Sequence, residues 1–386
     1  MKKILVFIGS RANYSSIKSV LNEIKKSEKL KLFIILGSSG VITKYGNLER
    51  IITKDGFNIN KKIFFLVEGE NPLTMAKSTG LGLIEIASAF NEIKPDVVLT
   101  IGDRFETMAS TLASAYMNII LAHTMGGEIT GTIDESIRHA TTKFAHLHFP
   151  ASKDAYQRIL KLGERKKNVH LVGCPRIDLI KQVLKKNNIQ KMNKYLFKFG
   201  VGDYLNLNKP FVIISQHPVT TEYKSAEEQI LNTLKAVNKI KTQVIVLWPN
   251  PDAGSALISK GIRKWREKYN NKNNKIHFFK NLEPEEYIQL MNKTSCLIGN
   301  SSSGIRDGAF IGTPVVNIGT RQAKRERAKN VIDSSNEVKD IFNKIKKQYG
   351  KKYKPSKIYG DGNAGKRIVK VLENLKDIKI QKSISY

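Results

Sequence analysis

The 386 residues, 41% of them hydrophobic, are enough for two globular domains with large cores and exclude a disordered chain. The formal net charge of +31 would suit a nucleic-acid partner, but the lysines are spread along the whole chain and form no patch. No apolar run is long enough to span a bilayer, and the only cysteines, Cys174 and Cys296, lack metal-ligand spacing. We therefore expect a cytoplasmic protein with no nucleic-acid and no membrane partner.

Short apolar runs alternate with longer segments of helical periodicity, which indicates parallel sheets covered on both faces by helices. A polar, lysine-rich stretch at 185–209 separates two such series and is interpreted as a linker. The sequence therefore predicts an α/β protein with two Rossmann-like domains, 1–185 and 205–365, and a C-terminal helix and tail, 366–386. The predicted strands are ILVFIG (4–9), LKLFIILG (30–37), DVVLTIGD (96–103), IILAHTMGG (119–127), AHLHFPAS (145–152), VHLVG (169–173), FVIISQHP (211–218), QVIVLWPN (243–250), KIHFFK (275–280), CLIG (296–299) and TPVVNIG (313–319).

Polar and glycine residues cluster where the predicted strands end. Open α/β sheets bind ligands at the carboxyl ends of their strands. Two facing domains would bring these clusters into one interdomain cleft, an arrangement that suits a nucleotide-linked substrate. The clusters lie at 9–15, 102–106, 123–131, 215–221, 248–255 and 299–307.

Charged residues follow two strands of the first predicted domain. Arg11 stands where a helix begins after Gly9, as a surface cation or as a bidentate phosphate ligand. The stretch contains neither the dinucleotide fingerprint nor a P-loop. Asp103 and Arg104 directly follow a buried strand. Asp103 is interpreted as an acid or base that Arg104 could hold ionised, with a turn-stabilising aspartate as the alternative.

The segment GGEITGTIDESIRHATTKFAHLHF at 126–149 contains a predicted helix start. Thr132 and Glu135 fit a capping box, so Glu135 is interpreted as structural. Asp134 falls in the first helical turn, and Arg138, four residues later, is within pairing distance of it.

Three acids are expected near one strand edge. Glu128 follows two glycines that let a ligand approach the backbone, Asp134 opens the predicted helix, and Asp103 ends a neighbouring strand. Carboxylates grouped in a cleft can take a proton from one face of a sugar carbon and return it to the other. These residues are therefore candidate catalytic groups.

The histidines carry different expectations. His146 and His148 alternate in a predicted strand, which favours packing over metal binding, whereas His123 ends a strand at the predicted cleft. His217 ends another strand before a proline and is either a partner of a diphosphate or an ordinary buried histidine. Because no metal-ligand motif occurs, we expect no metal and no cofactor.

The segment GNSSSGIRDG at 299–308 leaves a predicted strand through three serines. One serine is enough to cap the following helix. The additional hydroxyl groups and Gly304, which allows a close approach to the backbone, favour a phosphate site at the helix N-terminus. Ser301 and Ser302 are the candidate ligands.

Taken together, GDRFET, GGEITGTIDESIRHATTKFAHLHF, SQHP, GNSSSGI and TPVVNIGTRQAKRERA resemble the hydrolysing UDP-N-acetylglucosamine 2-epimerases. The resemblance covers most of both predicted domains. It implies the GT-B fold, a nucleotide-sugar substrate and a homo-oligomer, either dimer or tetramer. It also implies anti elimination of UDP to give 2-acetamidoglucal, followed by hydration to N-acetylmannosamine for sialic or other nonulosonic acid synthesis.

The resemblance also implies roles for single residues. The catalytic carboxylates would be Asp103, Glu128 and Asp134. Asp307 stands where the family usually has a glutamate and is expected to meet the ribose hydroxyls. The substrate-binding residues would be Arg11, Arg138, His217, Ser301, Ser302, Gly304 and Asp307.

The segment LGSSGVITKYGN at 36–47 bears on the identity of the sugar. Members that act on N-acetylglucosamine often have a histidine in this loop, and this chain has none. The small residues at 37–40 would leave room for a 4-acetamido group. UDP- or GDP-linked 2,4-diacetamido-2,4,6-trideoxyglucose, of the legionaminic acid route, is therefore the alternative to UDP-N-acetylglucosamine. A GT-B glycosyltransferase, which would need an acceptor, is the alternative reaction.

Overall fold

The chain divides into two compact units in the computed structural model. Unit 1 comprises Met1–Ile129, Ile133–Leu179 and Tyr359–Tyr386, and unit 2 comprises Thr130–Thr132 and Ile180–Ile358. The predicted strand end at Asn250 and part of the predicted linker lie outside the described residues. The structure describes residues 1–186, 192, 195–196, 198–249, 252–268, 274–280, 282–376 and 378–383.

Unit 1 contains a six-stranded sheet. Its strands are β1 (Lys2–Ile8), β2 (Leu30–Leu36), β3 (Lys61–Lys62), β4 (Val97–Ile101), β5 (Ile120–Thr124) and β6 (Leu147–Phe149). All neighbours are parallel, in the order β3-β2-β1-β4-β5-β6. This is the strand order of a Rossmann-type domain.

Helices cover the apolar strands of unit 1. They are α1 (Arg11–Lys26), α2 (Leu48–Lys54), α3 (Pro72–Ile93), α4 (Phe105–Tyr116), α5 (Asp134–Phe144), α6 (Lys153–Lys161) and α7 (Pro175–Leu184). Every residue of β4 is buried, as expected for a central parallel strand between two helical layers. The boundary between the units falls within α7.

Unit 2 repeats this architecture. Its strands are β7 (Val201–Gly202), β8 (Phe211–Ser215), β9 (Gln243–Leu247), β10 (Ile276–Phe279), β11 (Cys296–Gly299), β12 (Val315–Ile318) and β13 (Val331–Ser334). The order is β13-β12-β11-β8-β9-β10-β7, with β7 antiparallel to β10. The helices are α8 (Ala226–Asn238), α9 (Ser255–Lys268), α10 (Pro284–Lys293), α11 (Ser302–Ile311) and α12 (Val338–Gln348).

The chain returns to unit 1 before its last described helix, α13 (Ala364–Glu373). The carboxylate of the buried Asp178 accepts hydrogen bonds from the amides of Ala364 (2.9 Å) and Gly365 (2.7 Å). A carboxylate is well placed there because the first amides of a helix have no partner within the helix. Unit 2 therefore ends at Ile358, whereas the sequence suggested a domain end at 365.

The strand pattern departs from the prediction in a few places. The expected strand at 169–173 contributes one isolated bridge, between Val169 and His148, and the chain then turns at Gly173 (φ +90°) into α7. Three strands, β3, β7 and β13, were not predicted. Two of them have two residues each, and β13 reads VIDS, so none forms a continuous apolar run.

Two further observations concern the chain as a whole. Within the described ranges, no helix has both the length and the apolar character needed to cross a bilayer. Cys174 and Cys296 are both buried, and neither forms a disulfide within the described part of the chain.

Candidate functional site

Asp103 lies on the sharp turn that links β4 to α4. Gly102 adopts a left-handed conformation there (φ +71°), and its amide donates to the carbonyl of Thr124 (3.2 Å). A positive φ is easily reached by glycine, so the chain can reverse at once and place Asp103 at the carboxyl end of the sheet. The Asp103 side chain keeps 21% of its surface exposed. It is thus available to a ligand.

Arg138 joins two of the predicted acids within unit 1. Its side chain is fully buried on α5 and pairs with the carboxylate of Asp103. Its other terminal nitrogen donates to the main-chain carbonyl of Glu128 (2.6 Å). A buried guanidinium is stable only when its donors and charge are matched. Arg138 therefore fixes the strand end that carries Asp103 against the loop that carries Glu128.

The loop before Glu128 is tightly constrained. Met125 and Gly127 have positive φ values (+59° and +76°), and a Cβ on Gly127 would lie 2.4 Å from the carbonyl oxygen of Ala155. Arg158 donates to the Gly127 carbonyl (2.6 Å). Only glycine fits this approach to α6, and Glu128 that follows is 4% exposed. Its carboxyl group is held in the interior rather than in solvent.

Asp134 is the first residue of α5, where the helix dipole favours an anion. The capping box predicted for Thr132 and Glu135 is wrong. The residue before the helix is Ile133, already in helical conformation, and no side chain caps the helix. The buried Thr132 hydroxyl makes no hydrogen bond within the described part of the chain. Glu135 lies 3.8 Å from His139, one turn later.

His123, at the end of β5, is fully buried. Its Nε2 lies 2.8 Å from the carbonyl oxygen of Gly102, and its Nδ1 lies 3.2 Å from the Thr142 hydroxyl. Burial lowers the pKa of His123 to about 4. A neutral imidazole that donates from Nε2 therefore holds the Gly102 turn, and with it Asp103.

Glu106 is a buried acid that sequence reasoning did not single out. It is 0% exposed and accepts a hydrogen bond from Nε of Arg104 (2.7 Å). A Cβ on Gly9 would meet its Cγ at 2.5 Å, so the β1–α1 turn packs directly on the Glu106 side chain. An acid in a first helical turn predicts ordinary helix-end stabilisation, and only the fold reveals the contact with Gly9.

Arg11 is the first residue of α1 and is partly exposed beside this turn. The preceding Ser10 caps the helix by accepting from the amide of Asn13 (3.2 Å), and Asn13 in turn accepts from the amide of Gly9 (3.2 Å). Arg11 thus stands at a fixed helix start at the carboxyl end of β1.

The small residues after β2 do not leave the expected room. A Cβ on Gly37 would lie 2.9 Å from atoms of Phe7, Ile63 and Phe65, and one on Gly40 would lie 2.8 Å from Leu36. Ser38 and Ser39 are 0% and 5% exposed. These residues are small because the loop packs onto the core of unit 1. The enlarged-pocket interpretation is therefore wrong at Gly37 and Gly40.

In unit 2, His217 follows β8 and is tied to the end of the neighbouring β11. The amide of His217 donates to the side-chain oxygen of Asn300 (2.7 Å), and the Asn300 amide group donates to the His217 carbonyl (2.8 Å). Arg321 donates to the carbonyl of Asn300 (3.2 Å). Asn300 and Arg321 were not among the predicted site residues, because their role depends on strand adjacency.

The two candidate serines at the start of α11 differ: Ser301 caps the helix, whereas Ser302 is partly exposed. Ser301 is the N-cap of α11, and its hydroxyl lies 2.8 Å from that of Ser303, which also meets the Tyr287 hydroxyl (2.7 Å). Ser302, the first residue of the helix, is partly exposed, and its hydroxyl has no hydrogen-bond partner among the residues that the structure describes. Ser302 is therefore the better placed of the two candidates to accept a ligand.

Gly304 and Asp307 lie on the inner side of α11. A Cβ on Gly304 would meet side-chain atoms of Leu297 and Val315 at 3.0 Å, so this glycine serves helix–sheet packing. Asp307 is 3% exposed. Their burial contrasts with the partial exposure of Ser302 at the start of the helix.

The family comparisons agree with this architecture. The family model described as UDP-N-acetylglucosamine 2-epimerase matches residues 22–373. A UDP-N,N'-diacetylbacillosamine 2-epimerase (hydrolyzing) from Legionella pneumophila is 32% identical over 376 residues, which cover 97% of this chain and 96% of that protein. A UDP-N-acetylglucosamine 2-epimerase from Neisseria meningitidis serogroup B is 29% identical over 345 residues, 89% of this chain and 87% of that protein.

A solved structure shares the fold. The UDP-GlcNAc 2-epimerase from Neisseria meningitidis, bound to UDP-GlcNAc, superposes with a TM-score of 0.80 at 19% identity, covering 96% of this chain and 99% of that one. The two Rossmann-type units are those of the GT-B fold. This chain therefore belongs to the UDP-N-acetylglucosamine 2-epimerase family, as an enzyme of the hydrolysing UDP-sugar 2-epimerase class.

Proposed function

We propose that the substrate is UDP-linked 2,4-diacetamido-2,4,6-trideoxyglucose, the sugar also called N,N'-diacetylbacillosamine. The relative that carries this name is 32% identical over nearly the whole of both chains. The absence of a histidine from the segment 36–47 supports the same choice. UDP-N-acetylglucosamine is the second candidate, supported by the 29% identical relative. The 2-epimer released would feed the synthesis of a nonulosonic acid of the legionaminic type.

The proposed reaction proceeds in two halves. In the first, the C1–O bond to UDP breaks and a carboxylate takes the proton from C2, which leaves a 2-acetamidoglucal and UDP. In the second, the oxygen of water bonds to C1 and releases one proton to the solvent, while a carboxyl group delivers a proton to the opposite face of C2. The net change consumes one water and releases UDP and the free 2-epimer. Because the C2 proton is only weakly acidic, stabilisation of the departing diphosphate carries much of the catalysis.

The single observation that carries this proposal is the cluster in which the buried Arg138 pairs with the partly exposed Asp103 and holds the loop of the buried Glu128. The guanidinium beside Asp103 favours the ionised carboxylate, which suits the base of the first half. Glu128, whose side chain lies in the interior, is proposed as the acid of the second half. Asp134 is the third proposed proton-handling group, at the N-terminus of α5.

For the leaving group we propose contacts at the strand ends of unit 2 and at α1. The N-terminus of α11, with Ser301 and Ser302, offers hydroxyls and free amides to a phosphate. His217 and Arg11 would add donors to the diphosphate, whereas the buried Asp307 is not proposed as a ligand contact. Arg321, held near Asn300, is a further candidate for a phosphate contact.

The direct test is incubation of the enzyme with both UDP-sugars at equal concentration in deuterium oxide. We expect free UDP and a free 2-epimer that carries deuterium at C2, both followed by NMR, without any added acceptor. A preference for the diacetamido sugar of tenfold or more supports the proposed substrate. A similar preference for N-acetylglucosamine contradicts it, and a need for an acceptor would indicate a glycosyltransferase. The expected homo-oligomer is tested separately by light scattering.

A further inference from the structure

We propose that unit 1 has a second ligand site, a cavity that binds a small multivalent anion with phosphate or carboxylate groups. The cavity has a volume of about 250 Å³ and is lined by the turn at 163–168, by His146 and by the C-terminal tail at 378–383. At about 30 Å³ for each water molecule, this volume would hold roughly eight waters. It is therefore large enough for a sugar phosphate or a tricarboxylate.

The cavity lies at the amino-terminal edge of the sheet. His146 directly precedes β6, and its amide donates to the carbonyl of Leu121 near the start of β5 (2.7 Å). Asp103 and Glu128 instead follow the carboxyl ends of β4 and β5. The cavity is therefore separate from the candidate catalytic residues, and a ligand in it would leave them free.

The tail that forms one wall is firmly held. Nζ of Lys382 reaches the carbonyl oxygens of Lys143 (2.7 Å) and Ala145 (2.6 Å), at the C-terminus of α5, and the carboxylate of Glu164 (2.7 Å). Nε2 of His146 lies 2.8 Å from the carbonyl oxygen of Ile380. These contacts form the cavity without a ligand, so binding need not order the tail first.

The charge of the lining favours an anion. Glu164 is the one acid of the described lining, and its carboxylate is already engaged by Lys382 and by His148 (3.0 Å). Arg165, Lys167 and Lys379 also line the cavity, and their side chains have no hydrogen bond or ion pair among the described residues. Three cations without a matching acid leave the cavity strongly positive.

The lining also limits the class of anion. A guanidinium and two ammonium groups match a ligand with at least two negative charges, and Arg165 offers the paired donors that fit phosphate or carboxylate oxygens. The described lining contains no Phe, Tyr or Trp on which a base could stack. A compact polyanion therefore fits this cavity better than a nucleotide.

The test is isothermal titration of the full-length enzyme with sodium pyrophosphate and, separately, with citrate. Saturating UDP is present so that a diphosphate site elsewhere is already filled, and a second series omits UDP so that the result does not depend on the proposed function. We expect one site per chain and at least tenfold weaker binding in Arg165→Gln/Lys167→Gln. The control, Lys339→Gln/Lys347→Gln, removes the same charge from exposed positions of α12 in unit 2.

The two anions distinguish the two classes of ligand. Tighter binding of pyrophosphate indicates a phosphate ligand, and tighter binding of citrate indicates a carboxylate ligand. If anion binding were weakened equally in the two double variants, the site would hold an adventitious ion only, and the proposal would be overturned. The absence of saturable anion binding to the wild type would overturn it as well. Trypsin gives an independent readout in the wild type, because the tail contains Lys379 and Lys382. The bound anion should slow cleavage at these residues at least severalfold, relative to chloride at equal ionic strength, and an unchanged rate contradicts the site.

Discussion

Arg138, buried in unit 1, pairs with the partly exposed Asp103, although 35 positions separate them in the chain. The contact links α5 to the end of β4, and the same guanidinium holds the Glu128 carbonyl. Two proposed proton-handling residues are thus positioned by one cation, whose own bulk and charge are hidden from solvent.

Replacing Arg138 should therefore impair both halves of the reaction. Arg138→Lys keeps the charge but cannot reach both partners with a planar fork, and Arg138→Met leaves the Asp103 carboxylate without this cation. We expect turnover to fall by about 10²-fold or more in both variants, measured as UDP release. Arg138→Met should also unfold at a lower temperature, because it removes the hydrogen bonds that tie the end of β4 to the Glu128 loop. Lys161→Met, exposed at the end of α6, is the control and should retain wild-type rates.

The carboxylates can be separated by half-reaction. In Asp103→Asn, the rate of glucal formation should fall by about 10²-fold or more. The variant should still hydrate supplied glucal in the presence of UDP. Glu128→Gln should still form the glucal but hydrate it slowly, so that the glucal accumulates during the reaction. Asp134→Asn should slow overall turnover on the same scale. NMR of both half-reactions measures these rates. Wild-type turnover in two of the three variants would contradict the assignment of these carboxylates as proton-handling groups.

Hydrophobic periodicity was sufficient to predict the main strands. The central strands are continuous apolar runs, which must be buried on both faces wherever they occur. The same reasoning placed Asp103 and His217 at strand ends, because a strand that stops at a polar residue exposes it at the edge of the sheet. The positions of strands and of the residues at their ends can be predicted because they depend on local sequence patterns alone.

Contacts between distant segments could not be predicted in this way. Glu106 resembles an ordinary first-turn acid, and only its packing under Gly9 shows that it supports the β1–α1 turn. The serine and glycine loop after β2 resembles an open connection, whereas Phe7 and Phe65 fill the space beside Gly37. The volume beside a small residue is set by its neighbours in space, which the local sequence does not contain.

Gly127→Ala should test how closely Glu128 depends on its loop. A methyl group there would lie 2.4 Å from the Ala155 carbonyl oxygen, and the positive φ is itself unfavourable for alanine. We expect a lower melting temperature and at least a tenfold lower turnover, as the loop moves to relieve the contact. Gly80→Ala is the matched control, because a Cβ at this exposed position of α3 meets nothing within 4 Å. That change should leave activity intact and stabilise the helix by up to about 1 kcal/mol.

The adjacent serines of α11 should respond differently to alanine. Ser301 caps the helix, so Ser301→Ala should cost about 1 kcal/mol of stability along with any loss of UDP affinity. Ser302 has no internal partner in the described structure, so Ser302→Ala should weaken UDP binding severalfold at an unchanged melting temperature. Calorimetric titration with UDP and thermal melts measure both effects. Unchanged UDP affinity in both variants would leave the serines a structural role alone.

His123 should make unit 1 less stable in acid. Burial lowers its pKa to about 4, whereas an unfolded chain would titrate it near the ordinary value of 6.5. Between these pH values the unfolded state holds the additional proton, so stability from His123 is complete above pH 6.5 and is lost as the pH falls towards 4. The loss is on the order of 3 kcal/mol at 1.36 kcal/mol per pH unit. We therefore expect the melting temperature of the wild type to fall more steeply between pH 7 and pH 4.5 than that of His123→Asn, which cannot titrate there. If the melting temperatures of the two proteins fell in parallel with pH, a neutral His123 imidazole would not be what holds the Gly102 turn.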